Sequence, residues 1–508
     1  MGRIKESLDH WRRRDRRRER LREDESTLVD RLYGTPYENL PRATGVLPAA
    51  EAERVMDVAL RLGRQMFLCG SETATIEYTL IAVTDVLGLT YLDVDITGRS
   101  IHLQHHPPGE RPLVLFRVTK SEDTRDLNRM SAVDAMIREI VFEGMTLEDA
   151  ERALDRVEHV PPALPWWLML AGGGVLAASI SLQAGGTPLS ALVAVLIRVV
   201  VDRVGWSLGG RLGLPTFYVV GIQAFIAVGT GIFGSGLGWW SGQEAASMAA
   251  ANLVLLLPIL AVVSLAQDAI TGFTLMAASR IVTVAMVLAG MLVGAVLVST
   301  VFRDLDLAHS ELITLVSMPL WVVLLACAVG ALGNALLMGG ALRLIPVAVL
   351  AGAVAGVVNT VGNRVLGLTS PMAVLLASIL LGIGAAVLGE RLRVPRAAIF
   401  VPGITGALLP GPDMYRTLVM YAANMEGAGP AVLLTLTTTA AIGAGIVLGD
   451  VLGNAANLGY ARRRGRRARI AATSAEPSEP DEADGPSGAA AATEPGGSAG
   501  PGERAGAD

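Results

Sequence analysis

The sequence predicts a polytopic α-helical membrane protein, with about ten transmembrane helices arranged as an inverted 5+5 repeat behind a small N-terminal α+β cytoplasmic domain. Three observations carry that expectation. Over 508 residues the chain is 52% hydrophobic and only 18% charged, a balance beyond what a water-soluble core requires. Nearly all the charge lies before residue 160 or after residue 460, and the stretch between is apolar and Gly-rich. Within that stretch, apolar segments recur near the ~20 residues that a bilayer span needs.

Residues 1–48 are charged and dotted with proline, without sustained apolar periodicity, and read as a basic, largely disordered arm. Between 49 and 160 the pattern changes. Residues 49–69 place Val55, Val58, Ala59, Leu62 and Met66 at helical spacing, Gly70 is a natural stop, and 73–87 repeat the pattern before Gly88. Segments 91–96, 100–104 and 113–118 alternate or run apolar at strand length, divided by Gly98 and by Pro107, Pro108 and Gly109. Helices over 126–143 and 146–158 complete the small α+β domain, 49–160. His102, His105 and His106 lie near Asp93 and Asp95 in sequence, but a short strand puts only His102 and His106 on one face. They read as surface histidines, and no metal site or cofactor is expected.

Apolar spans follow at 164–183, 188–208, 214–235, 246–266, 279–301, 312–337, 344–361, 368–388, 397–422 and 428–452. They group into halves over 164–301 and 312–452. Arg198, Asp202 and Arg203 cut the second span short. Residues 461–508 form a tail, basic at 461–469 and then Ala-, Gly-, Pro-, Ser- and acid-rich, which predicts disorder.

With both ends inside, the inner connections hold Arg198, Arg203, Arg211, Arg280, Arg343, Arg391, Arg393 and Arg396, whereas the outer ones hold Arg303, Arg364 and Arg416. Both termini are therefore expected in the cytoplasm. The first 30 residues have no apolar run of a cleaved signal. Arginine far outnumbers lysine, which is confined to Lys5 and Lys120, as in a GC-rich bacterium, so the expected location is a bacterial cytoplasmic membrane. The basic runs at 11–22 and 461–469 suit anionic membrane lipid; no aromatic interleaving points to nucleic acid. Cys69 and Cys327 fall in different compartments and imply no disulfide. Self-association into a homo-oligomer is left open.

Spans four and nine resemble each other. Leu257-Pro258-Ile259-Leu260, ten residues before Asp268, aligns with Val401-Pro402-Gly403-Ile404, eleven before Asp413. An offset of five spans turns the second half upside down relative to the first, the plan of many secondary transporters. Pro258, Pro402, Gly403, Gly406, Pro410 and Gly411 would free backbone groups that are tolerated at membrane depth only beside protein or a polar cavity, so they are the substrate-binding candidates. Kinks in packed helices are the alternative. Asp268, Asp413 and Arg416 are candidates for proton coupling or gating because burying charge is costly, and Asn359 and Asn363 are further polar candidates in span seven. Headgroup anchoring and amide bridges between helices are the plainer readings of these groups.

At these residues the chain resembles the threonine/serine exporter family. The likeness is carried by Leu60-Arg61-Leu62-Gly63, by Cys69-Gly70-Ser71-Glu72-Thr73-Ala74 and by Leu87-Gly88-Leu89. The segments 257–280 (LPILAVVSLAQDAITGFTLMAASR) and 401–415 (VPGITGALLPGPDMY) are similar to the family's two half-signatures. The family pattern has Gly directly after the first proline, where this chain has Ile259. The resemblance implies efflux of threonine and serine driven by the proton motive force, without enzymatic activity; no ATP-binding G-x-x-x-x-G-K-[ST] loop occurs. A related two-subunit arrangement implies a succinate-like dicarboxylate as second substrate class. A membrane-anchored sensor or scaffold is the remaining reading.

The arginine count makes a direct prediction. Cysteines at Trp240 and Ala308 are expected to react with an impermeant thiol reagent in intact cells, and cysteines at Leu208 and Arg393 only after permeabilisation. Labelling of position 393 in intact cells would refute the orientation.

Overall fold

The computed structural model of the chain describes residues 32, 35–38, 40, 47–98, 100–107, 111–119, 126–305, 318–422 and 425–473. Most of the expected arm, the basic run at 11–22 and the tail beyond 473 lie outside the described residues.

The N-terminal portion begins with α1 (Ala49–Leu68) and α2 (Thr73–Val86), joined at Gly70, whose φ of +75° ends the first helix. Three strands follow, β1 (Leu92–Thr97), β2 (Ser100–His105) and β3 (Leu113–Val118), an antiparallel meander in the order β1-β2-β3. Side chains of β2 alternate, so Ile101 and Leu103 are buried. His105 shares their face and is buried too, which corrects its expected surface position. His102, on the other face, stacks on its cross-strand partner Phe116.

Helix α3 (Leu127–Glu143) starts at Asp126, whose carboxylate accepts the Asn128 and Arg129 amides at 2.9 and 3.1 Å, and stops at left-handed Gly144. Helix α4 (Leu147–Glu158) is tied to α1 by the Arg54–Glu151 and Arg61–Glu158 ion pairs, 2.9 and 2.8 Å long.

The remaining helices form a bundle. They are α5 (Trp166–Gln183), α6 (Pro188–Gly205) with a π-helical continuation at Trp206–Arg211, α7 (Thr216–Gly236), α8 (Gly242–Val254), α9 (Ile259–Thr271) and α10 (Thr274–Asp304). Then come α11 (Leu320–Leu337), α12 (Ile345–Arg364), α13 (Ser370–Leu392), α14 (Ala397–Ala407), α15 (Gly411–Ala422) and α16 (Ala428–Thr473). The basic run at 461–469 thus has a helical backbone.

Among the described residues, seven helices are long and apolar enough to cross a bilayer: α5, α7, α10, α11, α12, α13 and α16. An eighth arises if α8 and α9, bent by 55°, count as one span. The expectation of ten is reduced at two places. Helix α6 carries Arg198, Asp202 and Arg203, and Arg198 is buried against Asp202. The span expected at 397–422 is divided into α14 and α15, each too short to cross alone.

Large apolar side chains such as Leu196, Ile281, Val293 and Leu325 are exposed along the outer faces, where hydrocarbon takes the place of water. Helix contacts inside rely on small residues, since lipid tails compete for apolar surface as well as leucine does. A Cβ on Gly333 of α11 would lie 2.7 Å from the Leu176 amide nitrogen of α5, and one on Gly294 of α10 would strike the Gly221 carbonyl of α7. Overpacking of this kind costs about 1–3 kcal/mol. Gly294→Leu is therefore expected to lower the melting temperature of the detergent-purified protein, whereas Val293→Leu on the outer face should leave it unchanged. Equal melting of the two variants would contradict the α7–α10 packing.

Candidate functional site

The two broken spans share one local design. In the first, Leu255–Pro258 interrupts the chain between α8 and α9; the Ile259 amide bonds the Leu257 carbonyl at 3.0 Å, and the Val262 amide bonds the Pro258 carbonyl at 3.0 Å. In the second, Leu408–Pro410 separates α14 from α15; the Gly411 amide bonds the Leu409 carbonyl at 2.8 Å, and the Met414 amide bonds the Pro410 carbonyl at 2.8 Å. Each proline opens a second half-helix, where its missing N–H costs nothing. By position, Pro258 therefore corresponds to Pro410. Pro402, aligned with Pro258 in the sequence reading, sits inside α14.

Both breaks reach one cavity of about 40 Å³, lined by Leu257, Pro258 and Ile259 from one side and by Val401, Thr405 and Leu409 from the other. Asn334 of α11 also lines it, and its buried Oδ1 has no hydrogen-bond partner among the described residues. An unsatisfied buried acceptor costs about 1–3 kcal/mol, so this oxygen is a ready contact for water or a polar ligand.

The other expected residues are placed as follows. Gly403 and Gly406 face neighbouring helices: a Cβ on Gly403 would lie 2.9 Å from Leu381 of α13, and one on Gly406 2.9 Å from the Cys327 carbonyl of α11. The Gly406 carbonyl accepts from Gln183 Nε2 of α5 at 2.9 Å. Gly411 packs against Ala250 and Val254 of α8. Asn359 donates to the Ala407 carbonyl at 3.4 Å and accepts from Asn363 at 2.9 Å, bridging α12 to the end of α14. Asp413 is half-buried in the first turn of α15, with exposed Arg416 one turn on.

Asp268 has the most constrained surroundings. It is fully buried at the far end of α9, where Oδ1 accepts the Thr73 amide at 2.9 Å and Oδ2 pairs with Arg280 Nε at 3.2 Å. Arg280 in turn donates to the Ser71 carbonyl at 3.1 Å, and Ser264 Oγ to the Gly70 carbonyl at 3.0 Å. The turn between α1 and α2 is thus latched onto α9 and α10. The left-handed turn at Gly272 makes this possible by folding α10 back so that Arg280 meets Asp268.

Beside the latch lies a cavity of about 410 Å³, walled by α1, α2 and α3 on one side and by α9, α13, α14 and α16 on the other. Glu72 lines it and accepts the Thr75 hydroxyl, which also bonds Tyr78 Oη at 2.8 Å. Burial pushes the Glu72 carboxyl up to about 7, an effect that the Thr75 bond opposes. On the bundle side, Arg396 pairs with Asp450 and donates to Asn454 at 2.9 Å. Leu260, near the start of α9, lines both cavities and forms part of the partition between them.

Residues 57–302 match the family model "Putative threonine/serine exporter", and residues 323–452 match "Threonine/Serine exporter, ThrE". The chain belongs to the threonine/serine exporter family. Within that family it is 28% identical over 435 residues to a "Probable threonine/serine exporter" of Mycobacterium tuberculosis, covering 83% of this chain and 80% of that one. It is 27% identical over 417 residues to a "Threonine/serine exporter" of Corynebacterium glutamicum, covering 78% and 82%. No solved structure matches the chain.

The first family match joins α1–α4 to the helices through α10, so the latch lies wholly within it. Glu72, Thr75, Tyr78, Asn334, Arg396 and Asp450 were not singled out as site residues from the sequence. Asp450 carries the signal that marked Asp268 and Asp413, a carboxylate at the end of an apolar span, and Glu72 stands inside a quoted family motif.

Breaking a buried ion pair by removing one partner costs about 3–5 kcal/mol. Cys69, beside the latch, is a natural reporter, because burial hides it and pushes its thiol up to about 12. In a Cys327→Ser background, Asp268→Ala is expected to accelerate maleimide labelling of Cys69 severalfold. An unchanged rate would mean that Asp268 does not hold the turn.

Proposed function

We propose that this family member is a secondary transporter that exports threonine and serine across the bacterial cytoplasmic membrane, driven by the proton motive force. The observation that carries the reading is the convergence of two proline-opened breaks on one cavity with an unmatched Asn334 oxygen, in a chain whose relatives are named threonine/serine exporters. A zwitterionic amino acid needs amides for its carboxylate and carbonyls or a carboxylate for its ammonium group, and half-helix ends supply such groups.

In this reading the bundle is an inverted 5+5 repeat divided at 164–301 and 312–452, with α6 and the α14–α15 pair counted as its second and ninth members. The matched hydrogen bonding at Pro258 and Pro410 supports it. The termini and the 49–160 domain face the cytoplasm, as the arginine count suggests. Pro258, Pro402, Pro410 and Gly411 shape the crossing point, while Gly403 and Gly406 set how closely α14 approaches α13 and α11. Asp268 gates through its latch, and Asp413 with Arg416 serves proton coupling or gating at the opposite end. Domain sensing alone would not require two matched breaks inside the bundle.

Proteoliposomes containing the purified protein are expected to move radiolabelled threonine and serine, faster when a proton gradient is imposed and slower when it is dissipated. Threonine flux equal to that of empty liposomes would refute the exporter reading, and flux indifferent to the gradient would refute its coupling.

A further inference from the structure

The two cavities differ in what they can hold. About 40 Å³ at the breaks admits little more than water, whereas about 410 Å³ at the junction falls within the ~300–1,000 Å³ range of small-molecule sites. The junction cavity is also chemically two-sided. Glu72 contributes a carboxylate to which no described arginine or lysine pairs; among the described residues it accepts from the Thr75 hydroxyl. Arg396, already placed by Asp450 and Asn454, retains donors because a guanidinium carries five N–H groups. A carboxylate without a cation among the described residues and a fixed guanidinium lining one cavity are complementary to a zwitterion.

Resting on the exporter reading above, we propose that the junction cavity is a binding site for the exported amino acid, with the substrate ammonium on the Glu72 carboxylate and the substrate carboxylate toward Arg396. The site is built from two parts of the chain, so the N-terminal portion supplies a substrate contact and is not a tethered accessory. Leu260 then stands between this site and the breaks, as a part of the barrier that must move for substrate to pass.

The surroundings of Glu72 make the contact sensitive to protons. Tyr37 lines the cavity, as do Thr75 and Tyr78 of α2 and Asp134 and Arg138, which pair on α3. Asp268 lies on α9, paired with Arg280, Glu390 stands near the end of α13, Arg396 precedes α14, and Asp450 lies on α16. Acidic groups outnumber basic ones here, and together with burial they favour the protonated form of Glu72. A proton and the substrate ammonium therefore compete for one carboxylate. Substrate binding to the protonated site releases one proton, and reprotonation displaces the ammonium, which gives the proposed coupling a definite exchange. The sign follows: binding strengthens as pH rises through about 7 and fades below it.

The test uses the full-length protein in lipid nanodiscs, with equilibrium binding of radiolabelled L-threonine, alongside flux in proteoliposomes. Wild type is expected to bind roughly tenfold more weakly at about pH 5.5 than at about pH 8, and Glu72→Gln to lose roughly tenfold at about pH 8 together with the pH dependence. Thr75→Val should shift the midpoint of binding to higher pH, because the hydroxyl that favours the ionised carboxylate is gone. Wild-type affinity in a Glu72→Gln protein whose Cys69 stays inert to maleimide would overturn the site while leaving the exporter reading in place. If Glu72→Gln exposes Cys69, Thr75→Val decides, and an unmoved midpoint overturns the site. Absence of threonine flux in wild type would instead remove the exporter reading, and the proposed site with it.

Discussion

The organisation of the chain turns on Asp268. A fully buried carboxylate is tolerable only where hydrogen-bond donors and opposite charge replace its water. The Thr73 amide, one of the orphan donors at the start of α2, and the Arg280 guanidinium do this together. Neither lies in the half-helix that carries Asp268. Burying the carboxylate therefore requires the turn at Gly70–Thr73 to be seated and α10 to be folded back beside α9. The exposed Arg54–Glu151 pair depends on no comparable assembly, and pairs of that kind contribute about 0–1 kcal/mol.

This constraint makes α9 a shared element. Its first residues border the break cavity, its last turn holds the N-terminal portion, and its 13 residues span about 20 Å. A helix of that length moves as a unit more readily than it bends, so displacement at one end is felt at the other. The peptide at Leu255–Pro258 is the place where such motion meets least resistance, because the hydrogen-bond ladder is already interrupted there. The corresponding interruption at Leu408–Pro410 lies across the same cavity.

Much of the fold was legible because local periodicity reports burial directly. The strand at Leu113–Val118 and the helices at Leu127–Glu143 and Leu147–Glu158 fall within a residue or two of the expected bounds. Length was less reliable than pattern at membrane depth. Helix α6 contains a charged pair that a hydropathy criterion penalises twice, although Arg198 and Asp202 neutralise each other and are partly hidden by α5. The span over 397–422 reads as continuous because proline and glycine are apolar enough to sustain hydropathy while interrupting the helix. The likeness of the two broken spans was legible around Pro258 and Pro402, and Pro402 lies inside α14. Sequence alone favoured the longer match around Pro402, whereas hydrogen bonding identifies Pro410 as the residue that opens the second half-helix.

The site was less legible than the fold because its partners are remote in sequence. Thr73 and Asp268 are 195 positions apart, and nothing in either segment's periodicity announces the other. What the sequence does contain is an imbalance. Asp268, Arg396 and Asp450 stand at the ends of apolar segments, where each charge must find a partner or remain in water. Arg396 was counted only toward orientation, although the same arginine can satisfy a loop bias and complete an ion pair. Following every charge at a span end to the partner it requires leads from Asp268 to Thr73, and from Thr73 one residue back to Glu72. That carboxylate has no cation of its own among the described residues, so the search for partners ends at an open cavity.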